Sequence, residues 1–146
     1  MKKLLLIAPD SVHTSNFLNL ISGYFDEVKL ITSGNSFNYK ADATVCYFGL
    51  KNFLRGYKTV STIRNINQTF QPNIVHIHQA NSYAWYALCA LKNSAVPKIL
   101  TAWGSDILLN SKRGFPLANM LHYNLNHADY FTSDSSFMAD EMRNIS

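Results

Sequence analysis

Pro72-Asn73-Ile74-Val75-His76-Ile77-His78-Gln79-Ala80-Asn81-Ser82 is the stretch that decides the fold. Its proline ends the preceding element at little cost. The run Ile74–Ile77 that follows is continuous rather than alternating, the pattern of a strand covered on both faces. Ser82–Lys92, rich in Ala and Leu and apolar nearly all round, then predicts a well-buried helix. Pro97 repeats the punctuation ahead of a second run, Lys98–Ala102. The unit is strand, helix, strand.

The same alternation extends in both directions. Leu4–Ala8, Val28–Thr32, Thr44–Phe48 and Tyr130–Ser133 are further short apolar runs. Between them, Phe17, Leu18, Ile21 and Phe25 form one helical stripe and Val60, Ile63, Ile66 and Phe70 another. Strand and helix alternating five or six times predict an α/β fold, a doubly wound, mostly parallel Rossmann-like sheet with helices on both faces. No repeat, linker or low-complexity tract divides the chain, so residues 1–146 read as one domain. A last helix beginning near Ser135 is still running at Ser146, so continuation into a longer protein is expected.

Composition narrows the function classes. An apolar fraction of 47% and a charged fraction of 15% are those of a folded globular protein. The formal charge of +4 favours anionic partners, yet without a dense Lys/Arg run or an RNA-binding signature nucleic acid is not expected as a partner. Cys46 and Cys89 stand far apart without metal-type spacing, and read as small core residues of a reduced, cytoplasmic protein. The N-terminal apolar run breaks at Pro9-Asp10, too early for a signal peptide.

In open α/β sheets ligands sit beyond the carboxyl ends of the strands. Here those ends lead into Pro9–Asn16, Ser33–Ser36, Gly49–Gly56, His78–Asn81, Trp103–Asp106 and Asp134–Ser136, which collect histidine, amide, hydroxyl and glycine groups. The opposite edge offers little beyond Lys29, Asn73 and Lys98. His13 is a candidate ligand contact, or a decoration on a helix capped by Thr14 or Ser15. Ser11 and Asn16 flank it as candidate binding residues. His76 and His78 point the same way; with no third ligand at sensible spacing no metal is expected, and His76 reads as a hydrogen-bonded core residue while His78 reaches the cleft. Gly104 permits an unusual backbone angle directly after a strand, and free N–H groups near it and Ser105 suit an anion or a sugar hydroxyl. Asp106 is either a site residue or the cap of a helical turn. Lys112 and Arg113 either reach a phosphate or are solvated charges. Tyr83, Trp85 and Tyr86 read as packing residues of the buried helix.

Several of these stretches resemble the family 4 (retaining) glycosyltransferases. Ser11-Val12-His13-Thr14 is similar to the opening of their first helix, and Pro72–His78 to their Pro-Asp-Ile-Val-His-x-His strand. Leu100–Leu108 resembles the Thr-x-Trp-Gly-Ser-Asp-Ile-Leu variant of a later motif, and Ala128–Ser135 the strand Ala-Asp followed by Ser. The resemblance implies the N-terminal, acceptor-side half of a two-domain GT-B fold, with the donor-binding C-terminal domain absent from this chain. It implies transfer from a nucleotide-sugar to a glycan or lipid-linked acceptor without metal or other cofactor, catalytic or positioning roles for His13, His78 and Asp106, and binding roles for Ser11, Asn16, Gly104, Ser105, Lys112 and Arg113. The isolated half is expected to be inactive. Two departures stand out: the first loop, Asp10-Ser11-Val12, lacks the family's Gly-Gly pair, and Trp103 occupies a position where many members carry a donor-contacting histidine.

Lys51–Lys58 mixes basic and apolar side chains at the rim of the expected cleft. Either it touches a membrane surface or lipid-linked acceptor at the inner face of the membrane, or it is an ordinary loop with Phe53 and Leu54 tucked into the core. A receiver domain lacks support, since Gly49-Leu50 replaces its phosphorylatable Asp. A dinucleotide-dependent oxidoreductase lacks its GxGxxG. A non-catalytic sugar- or partner-binding module, or one half of a split transferase, is the remaining alternative.

Overall fold

The structure, a computed structural model, describes residues 1–108, 114 and 116–145. Its strands are β1 (Lys3–Ile7), β2 (Glu27–Thr32), β3 (Asp42–Val45), β4 (Ile74–His78), β5 (Lys98–Thr101) and β6 (Tyr130–Thr132). They pair in the order β3-β2-β1-β4-β5-β6, and each pair is parallel. The helices are α1 (Val12–Leu20), α2 (Phe53–Phe70), α3 (Ser82–Ala90), α4 (Gly104–Leu108), α5 (Leu117–His127) and α6 (Ser136–Ile145). This is the Rossmann-like sheet the alternating runs predict.

The central strands are buried on both faces, which is why their sequences are continuously apolar. On one face Leu4, Leu6, Ala8 and Leu30 pack against Leu18 of α1. On the other, Leu5, Ile7, Ile31, Val75 and Ile77 join Ile63 of α2, Ala84 and Leu88 of α3, and Leu121 of α5. Each such Leu or Ile contributes about 1.5–3 kcal/mol relative to exposure. Gly56 lets α2 approach α3, because a Cβ there would stand 2.7 Å from the Tyr86 hydroxyl oxygen.

Three local expectations need correction. β3 lies at Asp42–Val45 rather than Thr44–Phe48. Cys46 still donates its N–H to the Thr32 carbonyl at 2.8 Å, but Phe48 then leaves the sheet to stack on Tyr83, with centroids 4.3 Å apart. α1 is capped by Ser11, whose Oγ accepts from Thr14 N at 3.3 Å, and not by Thr14 or Ser15. Thr14 instead donates its hydroxyl to the Pro9 carbonyl at 2.7 Å. Finally, α2 starts at Phe53, capped by Asn52, so the expected loop is helix from there on; Phe53 and Leu54 are 86% and 78% exposed rather than tucked into the core.

Candidate functional site

Strand order reverses between β1 and β4, and the crevice at that switch point is where this architecture places ligands. Its floor is aromatic. Phe17, on the buried side of α1, lies edge-on to both His76 and His78, at 5.2 and 4.6 Å between centroids. Trp103, just beyond β5, lies 6.2 Å from His78 and 5.4 Å from His13. His13 stands exposed in the first turn of α1, directly over this floor, with Asn16 exposed one turn further on.

Of the two strand histidines, His76 sits as the sequence suggests and His78 does not. His76 is hydrogen-bonded, its Nε2 lying 2.7 Å from Thr101 Oγ1, which is in turn 2.6 Å from Thr132 Oγ1. His78, expected to reach the cleft, is only 4% exposed, with Nδ1 buried and lacking a hydrogen-bond partner. Phe17 and Trp103 cover it, packing that depends on α1 and β5 and is invisible in the strand itself. Burial pulls the His76 pKa down to about 4; burial and then the neighbouring His76 pull His78 down to about 3. Both rings are neutral at physiological pH.

Asp106 is also buried, at 2% exposure. Its Oδ2 accepts from Trp103 N at 2.9 Å and from Ala80 N at 3.0 Å. The first bond is half of a capping box, reaching back from the first turn of α4 to the residue before it. The second crosses to the turn after β4. Asp106 therefore positions the two loops of the crevice rather than facing it, and burial lifts its carboxyl above the usual range against the pull of these two N–H groups. Gly104 begins α4 without a left-handed backbone, so the special angle expected there is absent. The Ser105 side chain, and Lys112 and Arg113 entirely, lie outside the described residues.

Two features carry no local sequence signal. Gln79 adopts φ 76°, a left-handed conformation uncommon for a side chain of its size, held by its N–H on the Thr101 carbonyl and by Asn81 Nδ2 on its Oε1 at 2.7 Å. Asp10 clasps the loop after β2. It accepts from Ser36 Oγ at 2.6 Å, from Ser36 N and from the Tyr39 hydroxyl, and these bonds, the Ser36 hydroxyl first, hold its carboxyl below the usual range. The clasp needs Gly34, where a Cβ would fall 2.5 Å from Asp10 Oδ2. Gly34→Ala is expected to lower the unfolding free energy by about 1–3 kcal/mol in denaturant titration, since the carboxylate must give up its bonds to Ser36 and Tyr39 to make way for the methyl group.

Beyond the ends of β2 and β3 lies a cavity of about 780 Å³ whose lining includes Ser33, Tyr47, Arg55, Lys58, Thr59 and Tyr83. Ser33 Oγ accepts from Tyr83 OH at 2.9 Å and from Asp10 N at 3.3 Å, which ties this wall to the crevice. The arrangement is rich in hydroxyl groups and cations, suited to a polyhydroxylated or anionic ligand. Among the described residues no group of three His, Cys, Asp or Glu side chains is placed to hold a metal ion.

Comparison with known proteins gives this geometry a setting. A family model described as glycosyl transferase 4-like matches residues 2–135. No curated protein matches the chain by sequence. Among solved structures, UDP-N-acetylglucosamine 2-epimerase from Rickettsia bellii superimposes with a TM-score of 0.75 at 11% identity, covering 99% of this chain and 42% of its own. UDP-GlcNAc 2-epimerase from Neisseria meningitidis, solved bound to UDP-GlcNAc, gives 0.73 at 13% identity, covering 97% of this chain and 42% of its own. MurG from Acinetobacter baumannii gives 0.64 at 8%, covering 91% and 41%. At these identities the likeness is one of fold, the N-terminal GT-B domain. The chain spans about two-fifths of the length of these structures.

Proposed function

The chain belongs to the glycosyl transferase 4-like family, and we propose that it forms the acceptor-side half of a retaining enzyme moving a sugar from a nucleotide-sugar to a glycan or lipid-linked acceptor. The observation that carries this reading is the crevice at the switch point, with exposed His13 poised against Trp103 and a hydroxyl-rich cavity beside it. In this reading the acceptor occupies the cavity and its reactive hydroxyl approaches His13, which orients it and accepts its hydrogen bond. Ser11 holds the first turn of α1 and thereby His13; Asn16 extends the binding surface along the same helix. His78, neutral and covered, serves as the apolar floor on which Trp103 rests, and Asp106 fixes the loops carrying Trp103 and Ala80. Gly104, Ser105, Lys112 and Arg113 are assigned to the donor side, where fixed dipoles and cations stabilise a departing diphosphate.

The grip on the nucleotide comes, in this proposal, from a second Rossmann-like domain, on the same polypeptide or on a separate one. The N. meningitidis enzyme, which shares the fold, was solved with UDP-GlcNAc bound and is more than twice this chain's length by coverage. The test is release of nucleotide diphosphate from a panel of nucleotide-sugars, by this chain alone and together with the donor-binding domain. Turnover only in the presence of the second domain supports the reading; turnover by this chain alone removes its division of labour. Within an active assembly, His13→Ala is expected to lower kcat about a hundredfold or more if His13 handles the acceptor proton, with little change in donor KM. An unchanged kcat takes His13 out of the mechanism.

A further inference from the structure

Between Asp42 and Asp106 the sequence contains no Asp or Glu, while Lys51, Arg55, Lys58, Arg64, Lys92 and Lys98 all fall within that span. Lys98 is buried against Asp129. Among the described residues no carboxylate lies within ion-pair distance of the other five. Three of them cluster where α2 begins. From Leu50 to Lys58 only Gly56 is buried, so Lys51, Arg55 and Lys58 share this short segment with exposed Leu50, Phe53, Leu54 and Tyr57.

This exposure is built in, and the segment is held firmly. Asn52 Oδ1 caps the helix by accepting from Arg55 N at 3.1 Å, and the Tyr47 hydroxyl accepts from the N–H groups of Lys51 and Asn52 at 3.2 and 3.1 Å. The Arg55 guanidinium lies over the Tyr47 ring, 4.4 Å from its centroid. Gly56 seats the opposite side of the helix on Tyr86. Beside the protruding side chains runs an apolar groove of about 730 Å³, lined by Phe53, Tyr57, Trp85, Leu117, Met120 and Tyr123 among others. The charges run against helix preference, because the first turn of α2 has no acidic residue and its positive dipole end is flanked by cations. Such an arrangement raises the local positive potential, which is unfavourable for the isolated fold and is relieved by an anionic partner.

We propose that the start of α2 docks on an anionic lipid bilayer, with Phe53, Leu54 and Tyr57 entering the headgroup layer and Lys51, Arg55 and Lys58 meeting lipid phosphates. A bilayer fits because protruding apolar groups interspersed with unpaired cations match an interface apolar in depth and anionic at its surface. No described helix is long and apolar enough to cross a membrane, so the contact is peripheral. The docking helix starts at the same edge of the sheet as the crevice, which turns the crevice towards the lipid.

Vesicle co-sedimentation of the chain tests this, with phosphatidylcholine alone and with phosphatidylglycerol added. Binding is expected only with the anionic lipid and is expected to fall as salt is raised. Lys51→Gln/Arg55→Gln/Lys58→Gln is expected to weaken it about a hundredfold, from a roughly fivefold contribution per cation. Phe53→Ser/Leu54→Ser, at sites exposed in the fold, is expected to weaken it about tenfold or more with an unchanged circular dichroism spectrum. Quenching of Trp85 by brominated lipid gives a readout that needs no change at the docking residues. The proposal is overturned by absence of binding to anionic vesicles, by binding that neither variant alters, or by self-association that both variants abolish.

Discussion

Asp106→Ala is expected to lower the unfolding free energy by roughly 2–4 kcal/mol, the largest loss among single substitutions at the rim. The carboxylate accepts two backbone N–H groups, one from the residue three before it and one from Ala80, 26 residues back in sequence, and alanine leaves both donors without it. Ala80 is fully buried, so water does not readily replace the lost acceptor at its N–H. Part of that loss is offset, because removing a carboxylate held against its burial relieves a desolvation cost. Asp106→Asn keeps an acceptor in place, and should lose less than half as much. Chemical denaturation of the three proteins gives the comparison, and Trp103 fluorescence reports whether the β5–α4 turn has moved. A loss under about 1 kcal/mol for alanine would mean that the two loops hold each other without the clamp.

The second large effect is acid sensitivity beginning well above the carboxylate range. An unfolded chain protonates its histidines near 6.5, whereas burial holds His76 near 4 and His78 near 3 in the fold. Between those limits the unfolded state binds protons that the folded state refuses, so stability falls as pH falls. The contribution is fully present above about 6.5 and is lost progressively towards 4 and 3. For both rings together the loss reaches roughly 4 kcal/mol at pH 5, at about 1.4 kcal/mol per unit for each group. Asp106 acts in the opposite sense over part of the window: its raised pKa means that the folded state takes up its proton first, which makes the net curve shallower. Urea midpoints between pH 7.5 and 5, converted with a common slope, measure the effect. His78→Leu should halve the dependence, and a flat profile in the parent protein would show that the rings are hydrated.

Much of the sheet was legible because buried parallel strands leave continuous apolar runs, and Pro72 and Pro97 mark where two of them begin. β3 was misplaced because Cys46-Tyr47-Phe48 is as apolar as a strand, yet Phe48 is claimed by Tyr83 of α3. The start of α2 was obscured for the opposite reason, since Phe53 and Leu54 face solvent and break the apolar stripe. At the site, the two-residue spacing of His76 and His78 showed that they share a face, but how deep each sits depends on Phe17 and Trp103. Asp106 illustrates the boundary well. Its reach to Trp103, three residues back, is a spacing that can be read, whereas its bond to Ala80 exists only once β4 and β5 are side by side. The left-handed Gln79 has no signature, because glutamine is not a residue that announces that conformation.

The strand order also dictates when the molecule can come into being. β1 lies between β2 and β4, so one of its edges meets a partner 24 residues downstream while the other waits for one 70 residues away. A nascent chain leaving the ribosome can assemble β1, β2 and β3 early, yet β1 keeps one edge of unpaired N–H and C=O groups, flanked by apolar side chains, until β4 emerges. Long-range parallel pairing of this kind is slow and leaves a sticky intermediate. Translation pauses or chaperone contact before β4 has emerged are therefore expected to affect the yield of folded protein.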